Sequence, residues 1–128
     1  MTPITLEWIE KAEGDWKFAL RAYRARKEPN YDLACFLVQQ CLEKYLKARL
    51  CEAGLPIQKT HNLVDLVDDV QAVEPSWIVM KPILKPLNRY AVLYRYPGFS
   101  ATKTETANVI KKCRKLRITF RTAFGLPI

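Results

Sequence analysis

Between Arg89 and Tyr96 the chain places two guanidinium forks, Arg89 and Arg95, beside three phenol rings, Tyr90, Tyr94 and Tyr96. Arginine grips phosphate bidentately and aromatic rings stack on bases, so this mixture suits a nucleotide or single-stranded RNA. The same residues also suit a core or a dimer interface, with arginine capping helix carbonyls. His61 is the only histidine and therefore the only side chain whose ordinary titration falls near neutral pH. It is expected in the first turn of a helix, where the positive end of the helix dipole favours a neutral imidazole able to orient a phosphate or a ribose hydroxyl. A histidine that packs or caps that helix is the alternative. Lys44 and Lys47 project from neighbouring turns of one helix, with Gln40 a turn earlier, a pattern suited to holding a phosphate and reading a base edge. Against this, Glu43 and Lys47 have the spacing of an ordinary ion pair on a solvated face.

The charge balance agrees with an anionic partner. Twenty-one Lys and Arg stand against thirteen Asp and Glu, a formal net charge of +8, which favours an acidic or phosphorylated partner. The excess is concentrated after Glu105, where Lys111, Lys112, Arg114, Lys115, Arg117 and Arg121 have no acidic neighbour in sequence, whereas Asp65, Asp68, Asp69 and Glu74 make the middle acidic. Such a surface suits a phosphate backbone, a plain solvated face, or a second copy of the chain. Cys35, Cys41, Cys51 and Cys113 form no C-x-x-C pair and no zinc spacing, so they are expected to be buried, reduced thiols, with neither metal nor redox chemistry. The glycines are isolated, which excludes a glycine-rich phosphate loop. No apolar run is long enough to cross a bilayer and no signal-peptide layout opens the chain, so a cytoplasmic protein without a membrane is expected.

The elements that must position these residues follow from apolar spacing. At 128 residues the chain reads as one domain over 1–128. Ile9, Ala12, Trp16, Leu20 and Tyr23 predict a first helix from a cap at Thr5 to about Lys27. A second helix carries Ala34, Leu37, Cys41, Tyr45 and Ala48 inward and stops at Gly54 and Pro56. Thr60 is the expected cap of a third, with Leu63, Leu66, Val67 and Val70 inward, closed by Pro75. Pro82 and Pro86 leave a fourth beginning near Lys81 or Pro86 and ending at Tyr94. After a turn at Arg95-Tyr96-Pro97-Gly98, a last helix from about Thr104 to Phe124 points Val109, Cys113, Leu116, Phe120 and Ala123 inward. The fold expected is all-α, an antiparallel up-and-down helical bundle of four to five helices.

Three segments then gain a shared meaning: Phe36-Leu37-Val38-Gln39-Gln40-Cys41-Leu42-Glu43-Lys44-Tyr45-Leu46-Lys47-Ala48, Thr60-His61-Asn62-Leu63, and Arg89-Tyr90 followed by Tyr94-Arg95-Tyr96-Pro97. In this order they resemble the signature of the HEPN family, small all-α domains linked to nucleotides and RNA and often found beside a minimal nucleotidyltransferase. The resemblance implies nucleotide or RNA binding through Lys44, Lys47, His61, Arg89, Tyr90, Arg95 and Tyr96. It also implies a homodimer with a shared cleft, and a separately encoded nucleotidyltransferase partner in a toxin–antitoxin-like pair. Trp8, Phe18, Phe36 and Trp77 are candidates for the dimer interface. The family's ribonucleases follow an Arg, after a short gap, with a His and then a Tyr. Here Tyr94 stands in the place of the His and Tyr96 in that of the Tyr, so no catalytic residue and no cofactor is assigned. A ribonuclease with a displaced base and a purely structural homodimer are the alternatives. In some members that Tyr is the acceptor of AMP from the partner, a role that by position falls to Tyr96.

Overall fold

The computed structural model describes residues 1–128 and contains helices and loops but no strand. Two long helices, α1 (Pro3–Arg24) and α2 (Tyr31–Glu52), are followed by a short α3 (Leu63–Val70). A broken helical run then carries α4 (Lys81–Leu84) and α5 (Tyr90–Leu93), and α6 (Lys103–Ala123) completes the chain. Contacts fix the directions. Thr5 at the start of α1 donates its hydroxyl to Glu52 at the end of α2, so these helices are antiparallel. Along α6, Thr106 meets Cys35 and Phe120 stacks on Tyr45 at 5.5 Å, so α6 runs with α2 and against α1. The broken run descends between them, from Trp77 against Phe120 to Tyr94 against Phe36. The large elements therefore alternate in direction as an up-and-down bundle.

The first helix begins earlier than its spacing suggests, because Thr2, not Thr5, is the cap. The Thr2 hydroxyl accepts from the Thr5 amide and Pro3 occupies the first turn, where its missing N–H costs nothing. Thr5 is buried inside the helix instead. α1 also stops at Arg24, short of Lys27. α3 is capped by Asn62, whose side chain accepts from Val64 and Asp65, while Thr60 accepts from the Asn62 amide one step before it. α6 starts with a complete capping box between Thr102 and Glu105.

Pro75 does not close α3; it opens a 3-10 turn, Pro75–Met80, and Pro82 and Pro86 sit in the first turns of the two following pieces. Each proline lacks the N–H that a helix interior needs, so the single fourth helix expected from Lys81 or Pro86 is cut into short turns, with Pro82 and Pro86 each held to a first turn. Gly98 closes the next turn with φ of +90°, a conformation that suits glycine.

α2 is the axis of the core and is buried nearly all round, from Ala34 to Leu50. Leu63, Leu66, Val67 and Val70 point inward from α3 as spaced, and so do Val109, Cys113, Leu116 and Phe120 from α6, but Ala123 is exposed where α6 runs past the core. Trp77 is buried against Phe120 and Phe36 packs on the Tyr94 ring at 4.9 Å, which takes both into intramolecular packing. Phe18 is exposed and Trp8 half-buried beside a notch formed with Ile4, Glu7 and Lys11. The cysteines are free; Cys35, Cys41 and Cys113 are buried and Cys51 partly so. Burial pushes the Cys35 thiol up to about 11, so it stays protonated and unreactive. No helix is long and apolar enough to cross a membrane.

Across α1, α2 and α6, Glu13 gathers two of the cations that sequence left unpaired on the basic C-terminal helix, Arg117 and Arg121. It accepts two bonds from Arg117 and one from the Tyr45 hydroxyl, with Arg121 at 3.4 Å. Burial alone would raise the Glu13 carboxyl, but Arg117, Tyr45 and Arg121 outweigh it and hold the group below its ordinary value. A depressed folded-state value means that this stability is present above the unfolded-state titration and is lost as pH falls through the folded one. Melting temperature followed from neutral pH into the acid range should therefore fall more steeply for the parent chain than for Glu13→Gln, which has already lost the contribution.

Candidate functional site

The broken run places Arg89 and Arg95 at opposite ends of α5, and the two face different surroundings. Arg89 donates to Glu105 and to the Tyr90 hydroxyl, which itself donates to Glu105. Its guanidinium also lies over the rings of Tyr90 and Phe99, at 5.0 and 5.4 Å. Burial, and then the Glu105 hydrogen bond, push the Tyr90 phenol up to about 12, so the hydroxyl keeps its proton to hold this cluster. Glu105, the capping-box residue of α6, thus neutralises the arginine with which the motif begins. Thr102, Asn108 and Lys112 complete a recess of about 440 Å³ around the pair.

Arg95 is exposed and forms no ion pair within the chain. With Tyr96, itself 61% exposed, it lines a second recess of about 180 Å³, whose other walls are Gln40 from α2, His61 from the loop before α3, and Ala91 and Val92 from α5. Three of the residues proposed from sequence, His61, Arg95 and Tyr96, therefore meet around one cavity, although His61 lies far from the other two in the chain.

A buried polar network sets the orientation of this cavity's walls. Glu43 accepts from His61 Nδ1 at 2.9 Å, from Lys47 Nζ at 3.0 Å and from Gln39 Nε2 at 3.4 Å. Gln39 Nε2 also donates to the His61 carbonyl at 2.8 Å. Because that carbonyl can only accept, the Gln39 side-chain oxygen must face Gln40, whose Nε2 donates to it at 2.6 Å. Gln40 is left with its own carbonyl oxygen to offer to the cavity. His61 is oriented by the same logic. A carboxylate can only accept, so Nδ1 carries a hydrogen, and in the neutral ring Nε2 is the nitrogen with the free lone pair.

His61 is not in the first turn of α3: it precedes the Asn62 cap and is mostly exposed, held by the Glu43 carboxylate rather than by the helix terminus. Lys47 is buried, not solvated, and is neutralised by Glu43, with the Trp8 ring 5.8 Å away. Lys44 pairs with Asp15 of α1. Both lysines proposed to contact phosphate are therefore engaged inside the bundle, and neither lines the cavity of Arg95. The Glu43–Lys47 pair forms at the spacing expected of it, but inside the bundle and not on a solvated face; Gln39 and this burial escaped the sequence reading, and three polar residues spaced four apart, Gln39, Glu43 and Lys47, on a helix otherwise buried nearly all round were the available signal.

The family model of the HEPN domain matches residues 5–121, which takes in nearly all of α1, the Glu43 network, both recesses and nearly all of α6. No curated protein and no solved structure was found to match the chain.

Proposed function

The chain belongs to the HEPN domain family, and from that premise we propose that it binds a nucleotide or RNA in the recess of Gln40, His61, Arg95 and Tyr96. The observation that carries this reading is Arg95: an arginine without a carboxylate partner, beside an exposed phenol ring and an oriented imidazole. Arg95 contacts phosphate, Tyr96 stacks on a base, His61 orients a phosphate or ribose oxygen, and Gln40 accepts from a base edge. Arg89 and Tyr90 contribute at most indirectly, since Glu105 already satisfies them. The exposed basic face of Lys111, Lys112, Arg114 and Lys115 supplies long-range attraction for a polyanion.

In this reading the protein works as a homodimer with a separately encoded minimal nucleotidyltransferase, in a toxin–antitoxin-like pair. The exposed apolar side chains of α1, Ile4, Leu6 and Phe18 with half-buried Trp8, supply surface for such an assembly. The exposed Tyr96 hydroxyl fits the role of an AMP acceptor for that partner. A fluorescence-anisotropy titration with a labelled short single-stranded RNA tests the binding: affinity should fall as salt rises, with a logarithmic slope of about −0.7 per phosphate contact. Absence of binding at low salt, by RNA and by AMP alike, contradicts it.

A further inference from the structure

We propose that the ligand of the recess is a single strand of RNA several nucleotides long, whose backbone runs on from Arg95 to a second phosphate site at Lys85. The inference rests on the binding reading above and decides between the ligands it admits: a mononucleotide fills one site, a strand fills both.

The second site lies across the His61–Asn62 step. His61 lines the Arg95 recess, while Asn62 lines a neighbouring one of about 550 Å³ with Val64, Lys81, Pro82, Lys85 and Asn88. The Asn62 side-chain oxygen accepts from the Val64 and Asp65 amides and from Asn88 Nδ2, and the Asn88 oxygen accepts from the Leu63 amide at 2.7 Å. A backbone N–H can only donate, so both oxygens are committed to the start of α3, and the Asn62 nitrogen, which makes no bond within the chain, keeps two hydrogens to give. The first amides of α3 are thereby satisfied, so the site rests on side chains and not on a helix terminus. Lys81 is matched by Asp68 at 2.7 Å. Lys85 is exposed and forms no ion pair within the chain. An ammonium and a carboxamide nitrogen, both donors, suit a phosphate.

Spacing along the broken run sets the extent of the ligand. Lys85, Asn88, Val92 and Arg95 follow one another at steps of three or four, so they share one face of the run. From Lys85 to Arg95 the mixed 3-10 and α turns rise by about 15–20 Å. Helical side chains lean back toward the N-terminus, and the linings agree: Arg95 shares its recess with Ala91 and Val92, Lys85 with Lys81 and Pro82. The two cations therefore keep their separation, which exceeds the reach of one nucleotide's phosphates. Only a chain of successive phosphates engages both. Val92, 55% exposed, lies between them as an apolar floor for a base or a ribose.

The experiment titrates the full chain with AMP by calorimetry, and by anisotropy with a labelled RNA series from dinucleotide to octanucleotide, across a range of salt. Affinity of the parent chain is expected to rise in a step at the length that spans both sites. Lys85→Gln should remove that step and weaken the octanucleotide about tenfold at low salt, with the logarithmic salt slope shallower by about 0.7, as for one lost phosphate contact on a single strand. AMP should bind this variant as it binds the parent, whereas Arg95→Ala should weaken AMP and RNA alike. Lys17→Gln removes the same charge from an exposed position on α1 and should cost far less. A Lys85→Gln chain that holds the octanucleotide as tightly as the parent, or as tightly as Lys17→Gln does, overturns the second site and leaves the binding reading in place. Equal affinity of the parent for every length does the same. A parent chain that binds neither AMP nor RNA overturns the binding reading itself.

Discussion

Replacing Glu43 by alanine is expected to destabilise the fold by about 3–5 kcal/mol, the cost typical of stripping one partner from a buried ion pair. The Lys47 ammonium, whose side chain is only 9% exposed, would remain inside the bundle with no carboxylate, and Gln39 and His61 would each lose an acceptor. Urea unfolding followed by circular dichroism measures the loss as a lower midpoint. The double variant Glu43→Gln with Lys47→Met should recover most of it, because removing both charges also removes the cost of keeping them from water. A Glu43→Ala chain as stable as the parent would show that water reaches Lys47 freely, and would remove the buried support on which the orientation of His61 depends.

The bundle itself was legible from apolar spacing, since Leu63, Leu66, Val67 and Val70 in α3 and Val109, Cys113, Leu116 and Phe120 in α6 lie where a helical period places them. Helix starts were less so. Thr5 and Thr60 are good capping residues, but Thr2 and Asn62 are equally good ones standing close by, and tertiary contacts decided between them: Thr5 is drawn inside to bond Glu52, and Asn62 is held by the Asn88 amide. The proline-rich run from Pro75 to Arg89 resisted reading because three prolines permit several short turns and forbid one long helix.

The candidate residues divide for a related reason. Local sequence reveals which side chains can bind an anion but not which of them the fold has already satisfied with one. Lys44, Lys47 and Arg89 are matched by Asp15, Glu43 and Glu105, acids that lie on other helices or on the turn beneath. The opposite holds for His61, whose approach to Arg95 depends on the return loop after α2, a segment with no periodicity to read.

Of the candidate cations, Arg95 alone has no carboxylate partner, and its loss should have the largest effect on binding. A charge-assisted bond to phosphate contributes about 1.5–3 kcal/mol, so Arg95→Ala should weaken single-stranded RNA at low salt by about 10- to 100-fold. Arg89→Ala should change affinity far less, because its guanidinium is spent on Glu105 and Tyr90. The most direct measurement is therefore an anisotropy titration of one labelled RNA with the parent chain, Arg95→Ala and Arg89→Ala side by side. A loss confined to Arg95→Ala is the predicted result and places the ligand against His61 and Tyr96; a loss confined to Arg89→Ala would contradict it and move the site to the recess beneath Glu105.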